Sequence, residues 1–443
     1  MALVIAGDRS GVGKTTVALA LNAALTARGQ RVQTFKVGPD YIDPLFHTAI
    51  SGRPCRNLDV ILTSPDYVCA CVGYHSQGMD AVLIEGVMGL FDGRGGSHEG
   101  STAHIAQLLQ APILLVLDVQ KQAASVAAVV YGFCHYDPSL QIAGVVLNRV
   151  ASDRHRQLLE AALAPLGVPI VGVLYRDQAL ALPSRHLGLV PPQESREFQA
   201  LGDRLAHLGN TCFNWEQLTP LLAPEFSAPS PLPSSVTPFS SPLHIGIAQD
   251  SAFHFYYADT LDLLQQLGAT LIPVSPLKDA KLPTPLHGLL LGGGFPEVFA
   301  AELAANHPFL GALRQAIQGG LALYAECGGL MYLCQSLRTL EGEDYPLVGH
   351  LPVVAEMGNR LTLGYRQTTV LQTTVCVQVG ETVQGHEFHY SRLSQPSPRP
   401  LWQLNGAPEG WGNPRLHASY LHLHWGGHPQ WAMRFLQQAA RVG

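Results

Sequence analysis

Short apolar runs alternate with longer segments of helical character along most of the 443 residues, and this alternation constrains the fold more than any other feature. A stretch over residues 223–242 interrupts the alternation, with six Pro, six Ser and a single charge at Glu225. Because this composition has neither helical nor strand periodicity, it predicts a linker. The sequence therefore predicts two α/β domains, residues 1–222 and 243–443, on either side of it.

The predicted strands are β-branched or Leu-rich runs bounded by turn-forming residues. In the first half they are Leu3–Ala6, Arg31–Lys36, Ala81–Glu85, Ile113–Asp118, Ile142–Leu147 and Ile170–Leu174. In the second half they are Ile245–Ala248, Thr270–Pro273, Gly288–Leu291 and Leu321–Ala325, with a helix from about Tyr257 to Leu267. Repeated β–α–β alternation predicts a parallel-sheet α/β domain followed by a second α/β domain.

Composition excludes several classes of protein. Lys plus Arg number 27 against 33 Asp plus Glu, so no basic surplus exists to bind nucleic acid. The longest nearly continuous apolar stretch, Ala123 to Cys134, falls short of the roughly 20 residues of a membrane span. Residues 1–7 have no basic leader and read as a first strand, which predicts a cytoplasmic protein. Eight scattered cysteines predict neither a disulfide framework nor a zinc site.

A phosphate-loop pattern spans Gly7 to Thr16, between the first predicted strand and a helix. Its glycines allow backbone N–H groups to face phosphate oxygens, Lys14 supplies positive charge, and the Thr15 hydroxyl can ligate Mg²⁺. The standard spacing places its first glycine at position 8, where Asp8 stands. The residues predicted to contact a nucleotide are Gly11, Gly13, Lys14, Thr15 and Thr16.

Polar residues follow three other strands of the first half, where parallel sheets bind their ligands. Glu85 is predicted to ligate Mg²⁺ together with Thr15, the alternative being a solvated acid at a strand end. Asn148, followed by Arg149, is a candidate for recognising the base of the nucleotide, although Asn is also common in plain turns.

Lys36, Asp40 and Asp43 occur within eight residues after the second predicted strand. A lysine beside the γ-phosphate could stabilise a carboxylate that is being phosphorylated, and the aspartates could hold the metal or orient the acceptor. Two prolines flank this segment, so turn-forming aspartates are the alternative.

In the second half, a predicted buried strand delivers Cys327 into a tight turn followed by two glycines, as in a nucleophile elbow. At a helix N-terminus the thiol is expected to be exposed and its pKa lowered, with the N–H of Gly328 available to an oxyanion. The glycine run after the strand Gly288–Leu291 offers a second donor, from Gly293 or Gly294.

Histidines near the C-terminus supply a candidate base for Cys327. His422 and His424 would share a face if they lie on a strand. A metal site formed by His417, His422, His424 and His428 is the alternative, although no carboxylate or cysteine accompanies them.

Taken together, these motifs resemble the cobyrinic (or hydrogenobyrinic) acid a,c-diamide synthase family over essentially the whole chain. The first half is similar to dethiobiotin-synthetase-type ATP-binding domains, in which the early glycine is normal, and the second half to class I glutamine amidotransferases. The segments that carry the resemblance are Gly7–Thr16, Phe35–Pro44, Leu83–Gly93, Gly292–Glu297, Ala325–Leu330, Gly385–Ser391 and Ala418–His422.

The resemblance implies a Cys327–His422 dyad that releases ammonia from glutamine. It implies that ATP, with Mg²⁺, phosphorylates a corrinoid carboxylate and that ammonia displaces the phosphate, twice, giving the a,c-diamide. In the amidotransferase pattern a Glu stands two positions after the catalytic His, where this chain has His424, so the role of His424 stays open.

Three alternatives remain. Hydrogenobyrinic acid or a nickel sirohydrochlorin could replace cobyrinic acid as substrate, because the sequence does not reveal the metal of the macrocycle. A functional alternative of a different kind is a nucleotide-dependent switch of the ParA/MinD type. Such ATPases carry a second lysine in the phosphate loop, and Arg9 occupies that place here. The oligomeric state is also open, a homodimer included.

Overall fold

A computed structural model of the protein describes residues 2–176, 184–185, 188–189, 198–223, 239 and 242–442. The chain divides into two compact units, Met1–Pro231 and Leu232–Gly443. Most of the predicted linker, residues 224–238, 240 and 241, lies outside the described residues.

The described part of the first unit is built on a parallel sheet with the strand order β3-β2-β4-β1-β5-β6-β7. Its core strands are buried along their whole length, which requires apolar residues on both faces, as in LVIAG of β1. The strands are β1 (Leu3–Gly7), β2 (Val32–Val37), β3 (Arg56–Leu58), β4 (Ala81–Glu85), β5 (Ile113–Asp118), β6 (Ile142–Val150) and β7 (Ile170–Tyr175), and a short hairpin follows, β8 (Ser184–Arg185) and β9 (Gly188–Leu189).

Helices connect these strands, and local signals fix several of their ends. The hydroxyl of Ser64, for example, accepts a hydrogen bond from the N–H of Tyr67 and caps a helix that has Pro65 at its first position. The helices are α1 (Lys14–Ala27), α2 (Asp43–Ser51), α3 (Pro65–His75), α4 (Thr102–Leu109), α5 (Val126–Tyr136), α6 (Asp153–Leu163), α7 (Phe198–Thr211) and α8 (Trp215–Leu222).

The described part of the second unit has a main sheet of order β12-β10-β13-β15-β23-β22, in which only the edge pair β22–β23 is antiparallel. A mixed sheet of order β17-β16-β18-β19 stands beside it. The strands are β10 (Leu243–Ala248), β11 (Phe253–Phe255), β12 (Ala269–Val274), β13 (Gly288–Leu291), β14 (Gly293–Gly294), β15 (Ala322–Glu326), β16 (Cys334–Arg338), β17 (Asp344–Pro346), β18 (Leu351–Thr369), β19 (Thr382–Leu393), β20 (Trp402–Leu404), β21 (Ala407–Glu409), β22 (Trp411–Asn413) and β23 (Leu416–Ser419).

The helices of this unit are α9 (Ala258–Gln266), α10 (Ala300–Ala305), α11 (His307–Gln318), α12 (Gly328–Leu333) and α13 (Pro429–Ala439). No helix in the described ranges combines the length and the apolar character needed to cross a bilayer. All the predicted strands are present, and the predicted fold class, a parallel-sheet α/β domain followed by a second α/β domain, is confirmed.

Both main sheets bring candidate residues to one edge. In the first unit β2, β4 and β1 are neighbours, so the carboxyl ends of three parallel strands lead into the Lys36–Asp43 segment, Glu85 and the phosphate loop. In the second, β13, β15 and β23 are neighbours, and their carboxyl ends lead to Gly292, Cys327 and the segment containing His422.

Candidate active sites in the two units

The phosphate loop of the first unit joins β1 to α1 through two glycines in the left-handed region. Gly11 has φ +77° and Gly13 has φ +99°, and a Cβ added to Gly13 would lie 2.2 Å from the side-chain nitrogen of Asn148. That nitrogen donates a hydrogen bond of 2.7 Å to the carbonyl of Val12. Asn148 therefore braces the phosphate loop, and its recognition of a base stays a prediction.

Lys14 is the first residue of α1, and its ammonium group forms hydrogen bonds with backbone carbonyls. Its Nζ donates to the carbonyls of Met88 at 2.5 Å and Arg9 at 3.3 Å. Burial, together with the charge of Lys36, lowers the pKa of Lys14 to about 8. An anion placed at this loop would favour the charged form, as expected for a phosphate-binding lysine. Thr15 and Thr16 lie in the first turn of the same helix.

A buried charge cluster lies beside the phosphate loop. Nζ of Lys36 donates to Asp43 at 2.6 Å and to Glu85 at 2.9 Å, and the Thr15 hydroxyl donates to Glu85 at 2.6 Å. Burial alone would lower the pKa of Lys36, but these carboxylates outweigh it and hold that pKa above its usual value. Burial would likewise raise the pKa of Glu85, yet Lys36 and His47 hold it below its usual range. Lys36 and Glu85 are therefore both ionised at neutral pH.

Glu85 is only 1% exposed, so the alternative of a solvated strand-end acid is wrong. The carboxylates of Asp40, Asp43 and Glu85 surround one ammonium group, that of Lys36, at distances from 2.6 to 3.9 Å. Oxygen donors in excess of positive charge, with the Thr15 hydroxyl beside them, are a donor set that fits Mg²⁺.

Asp40 and Asp43 differ in what they contact. Oδ1 of Asp40 accepts hydrogen bonds from the N–H groups of Ile42, at 2.8 Å, and Asp43, at 3.1 Å. Asp40 thus forms the turn that the alternative interpretation expected, while its other oxygen lies 3.9 Å from Lys36. Asp43 points its carboxylate at Lys36 instead. Whether either residue acts on a substrate stays a prediction.

Sequence reasoning missed His47, whose Nε2 lies 2.7 Å from Oε2 of Glu85. The histidine is on α2, fully buried, and its other ring nitrogen lies 3.5 Å from the side-chain amide of Asn22. The available signal was a histidine four residues after Asp43, one helical turn along.

In the second unit, Cys327 occupies a strained turn between β15 and α12, with φ +46° and ψ −100°. The backbone of β13 passes close to the start of α12 and requires a glycine there, because a Cβ on Gly329 would lie 2.1 Å from the carbonyl oxygen of Leu291. A non-glycine residue with positive φ at the end of a buried strand is the geometry of a nucleophile elbow.

The expectation of an exposed thiol with a lowered pKa is wrong. Cys327 is 7% exposed, and burial, reinforced by the charges of Glu297 and Glu326, raises its pKa well above the ordinary value. The helix that follows has only six residues and does not offset this burial. A base must therefore take the thiol proton before the sulfur can act as a nucleophile.

The glycine run and His422 meet beside this turn. A Cβ on Gly293 would lie 2.9 Å from Cε1 of His422, and one on Gly328 would lie 3.2 Å from the backbone nitrogen of Gly294. The N–H of Cys327 donates to the carbonyl of Ser419, three residues before His422. The structure thus places His422 beside Gly293, and Gly294 beside the residue that follows Cys327.

His422 is held from two sides. Its backbone forms a two-bond bridge with His386, with N···O distances of 2.9 and 3.0 Å. Its Nδ1 lies 3.3 Å from Oε2 of Glu326, the residue before the cysteine. Glu326 is a second residue that the sequence reasoning missed, because it precedes the cysteine instead of following the histidine.

The other C-terminal histidines point elsewhere, and no three of these four described histidines bring ligand atoms within 4.8 Å of one another. Nδ1 of His417 lies 3.2 Å from the Thr374 hydroxyl, and His428 stacks on Trp431. Nε2 of His424 lies 3.7 Å from the carboxylate of Asp259. The alternative of a histidine metal site is therefore wrong. His422 and His424 also follow β23 instead of lying on a strand.

Two family models match this chain, one in each of the two units. Residues 3–190 match the family model described as the CobQ/CobB/MinD/ParA nucleotide binding domain. Residues 244–430 match the model of the CobB/CobQ-like glutamine amidotransferase domain.

Relatives with known names match this chain over nearly the whole of both sequences. A cobyrinate a,c-diamide synthase from Synechococcus sp. is 54% identical, over 99% of this chain and 98% of the relative. One from Synechocystis sp. is 50% identical, over 96% and 91%. A hydrogenobyrinate a,c-diamide synthase from Streptomyces coelicolor is 40% identical, over 98% and 97%. With these matches spanning both units, the chain belongs to the cobyrinate and hydrogenobyrinate a,c-diamide synthase family.

Proposed function

We propose that the protein amidates the a and c carboxylates of cobyrinic acid, with glutamine as the nitrogen donor and ATP as the energy source. The observation that carries this proposal is that one chain contains a phosphate loop beside a buried Lys–carboxylate cluster and a Cys elbow beside a histidine. The first arrangement suits phosphoryl transfer to a carboxylate, and the second suits amide hydrolysis.

In the second unit, Cys327 attacks the side-chain amide carbon of glutamine after its proton passes to His422. The N–H groups of Gly328 and of Gly293 or Gly294 stabilise the oxyanion, and His422 returns the proton to the departing ammonia. Water then hydrolyses the thioester, with His422 again accepting a proton, and glutamate leaves.

In the first unit, the backbone of the phosphate loop and Lys14 hold the phosphates of ATP. Lys36 stabilises negative charge as the γ-phosphoryl group moves to the corrinoid carboxylate, and Asp40 and Asp43 orient that acceptor. The resulting acyl phosphate is a better electrophile than a carboxylate, so ammonia displaces phosphate and forms the amide. Two cycles give the a,c-diamide.

Thr15 and Glu85, with the aspartates beside them, would hold Mg²⁺, which when bound neutralises phosphate charge. Nucleotide use is consistent with the nucleotide-binding family model, and we place the enzyme in the cytoplasm, where ATP and glutamine are available.

We choose cobyrinic acid as the substrate because the relatives that are 54% and 50% identical are named cobyrinate a,c-diamide synthases, whereas the hydrogenobyrinate a,c-diamide synthase is only 40% identical. The test offers cobyrinic acid, hydrogenobyrinic acid and nickel sirohydrochlorin separately, with ATP, Mg²⁺ and glutamine, and follows the products by mass spectrometry. We expect a diamide of cobyrinic acid to form fastest. Faster diamidation of either other macrocycle would reassign the substrate, and ATP hydrolysis with no amide from any of them would favour a nucleotide switch.

A further inference from the structure

The carboxylate of Glu326 is fixed against His422 by contacts on both of its oxygens. Oε2 lies 3.3 Å from Nδ1 of His422, while Oε1 accepts the N–H of Leu423 at 2.9 Å and the hydroxyl of Tyr324. Glu326 is 6% exposed. A buried carboxylate with this many fixed partners has one orientation, and that orientation faces the ring of the proposed base.

His424, two positions after His422, does not supply the carboxylate that faces the His422 ring. His424 is fully buried, its ring lies tilted against that of Tyr257 with centroids 4.5 Å apart, and its Nε2 faces Asp259. Burial lowers the pKa of His424 to about 4, so it is neutral at pH 7. The carboxylate beside His422 is therefore supplied by the strand that also delivers the nucleophile.

We propose that Glu326 is the positioning residue of the glutaminase reaction, accepting a hydrogen bond from Nδ1–H of His422 so that Nε2 carries no proton of its own and can accept the proton of Cys327. This proposal rests on the proposed function of the second unit. The proton moves from Sγ to Nε2, and the Nδ1 proton stays on the ring, hydrogen-bonded to Glu326. The carboxylate then faces an imidazolium ion while the thiolate attacks the amide carbon.

The buried state of the thiol explains why such an orienting carboxylate is needed. Because burial raises the pKa of Cys327, little thiolate exists before the base acts. Transfer of the proton creates an ion pair among buried residues, and a carboxylate next to the imidazolium lowers the free energy of that pair. The carboxylate and the nucleophile are consecutive residues, so the same turn positions both.

Two other carboxylates in the second unit, Glu387 and Glu409, are held by different partners. Glu387 pairs with Arg366 at 2.6 Å. Glu409 accepts hydrogen bonds from the Ser419 hydroxyl at 2.6 Å and the N–H of Tyr420 at 2.9 Å. Glu409 is thus a control for Glu326, because it is half-buried and its carboxylate is hydrogen-bonded to the segment before His422 instead of to the ring of the proposed base.

The experiment compares Glu326→Gln, Glu326→Asp and Glu409→Gln in the full-length protein. In Glu326→Gln the amide oxygen can still accept from Leu423, but the amide nitrogen then donates to Nδ1 and stabilises the wrong tautomer of His422. We expect kcat for glutamine hydrolysis to fall about 10³-fold with KM within about 3-fold. Amide synthesis from ammonium salts should remain within about 2-fold, and Glu326→Asp should regain about tenfold of the lost kcat while staying well below wild type.

Glu409→Gln is expected to lower the melting temperature as much as Glu326→Gln while retaining kcat within about 5-fold. Wild-type kcat in Glu326→Gln, or an equal fall of kcat in Glu409→Gln, would overturn the proposal. If Glu326→Gln does not fold, Glu326→Asp decides, since a reduced kcat at unchanged KM supports the proposal and a wild-type kcat overturns it. A wild-type protein that hydrolyses no glutamine would instead contradict the proposed function itself.

Discussion

The two candidate sites lie at the carboxyl ends of parallel strands but are lined by different chemical groups. In the first unit, side chains supply the polarity, and Lys36, Asp43 and Glu85 form ion pairs of 2.6 and 2.9 Å in a buried space. In the second unit, the space beside Cys327 is bounded by the backbone of a glycine run, and the thiol is neutral. The first site holds paired charges before its substrate arrives, whereas the nucleophile of the second site becomes charged only during its reaction.

This difference follows from the chemistry each site has to perform. A phosphoryl group arrives with several negative charges, and fixed ammonium groups stabilise it without reorganisation. A glutamine amide arrives neutral, and a permanently charged nucleophile would hold water and oppose its entry. The contrast predicts that single substitutions will separate the two activities.

The largest effect is expected for Cys327→Ala. Without a sulfur nucleophile, glutamine-dependent synthesis should fall by about 10⁴-fold or more, while synthesis from ammonium salts should stay within about 2-fold of wild type. Both rates are measured by chromatography of the corrinoid products. Loss of both activities would show that the two sites are not separable.

Next in size are Glu85→Gln and Lys14→Ala, which disturb the charged site. Because both residues are proposed to act on phosphoryl transfer, amide formation should fall about 10³-fold with either nitrogen source, while glutamine hydrolysis persists. Asp80→Asn is the control, since Asp80 stands just before the amino end of β4, paired with Arg31. Unchanged ammonia-dependent turnover in Glu85→Gln would contradict the assignment of Glu85.

A smaller effect is expected for Gly293→Ala, which tests the backbone-built site. The new Cβ would lie 2.9 Å from Cε1 of His422, so the ring must move and glutamine-dependent kcat should fall about 10- to 100-fold. Gly311→Ala is the matched control, because its added Cβ meets no atom within 4 Å. Equal kcat in Gly293→Ala and Gly311→Ala would show that this approach does not govern catalysis.

The smallest effects concern Asp43→Asn and Asp40→Asn. Asp43→Asn removes the ion pair with Lys36, so amidation should slow about tenfold while ATP still binds. In Asp40→Asn the side-chain amide oxygen can still accept the two turn hydrogen bonds, so that variant should slow only about 3-fold. Time-resolved chromatography would also reveal a monoamide if one variant delays the second amidation. Wild-type rates in both variants would make these aspartates turn formers only.

The sequence predicted those parts of both sites that depend on local patterns. The phosphate loop, the cysteine turn and the carboxyl ends of β2, β4 and β13 all follow from short runs of residues at fixed spacing. Glu326 and His47 could not be found this way, because each acts through contact with a residue far along the chain. The burial of Cys327 was missed because a strand-turn-helix pattern does not show what covers the turn.

The long strands β18 and β19 were also missed. Leu351–Thr369 and Thr382–Leu393 mix buried and exposed positions with many polar residues, so no run in them has the apolar character that marked the central strands. Pairing between the two strands stabilises them, and pairing partners are not visible in a single segment.

The backbone bridge between His386 and His422 has a consequence for how this protein can evolve. Its two hydrogen bonds use main-chain atoms alone, so exposed side chains of β19 can be exchanged without loosening them, but Gly385 cannot, because an added Cβ would lie 2.7 Å from the carbonyl oxygen of His422. A single deletion within Thr382–His386 has the opposite effect, because it shifts the strand by one residue and turns every side chain to the other face. This part of the chain should therefore tolerate divergence at its exposed positions and resist change in length.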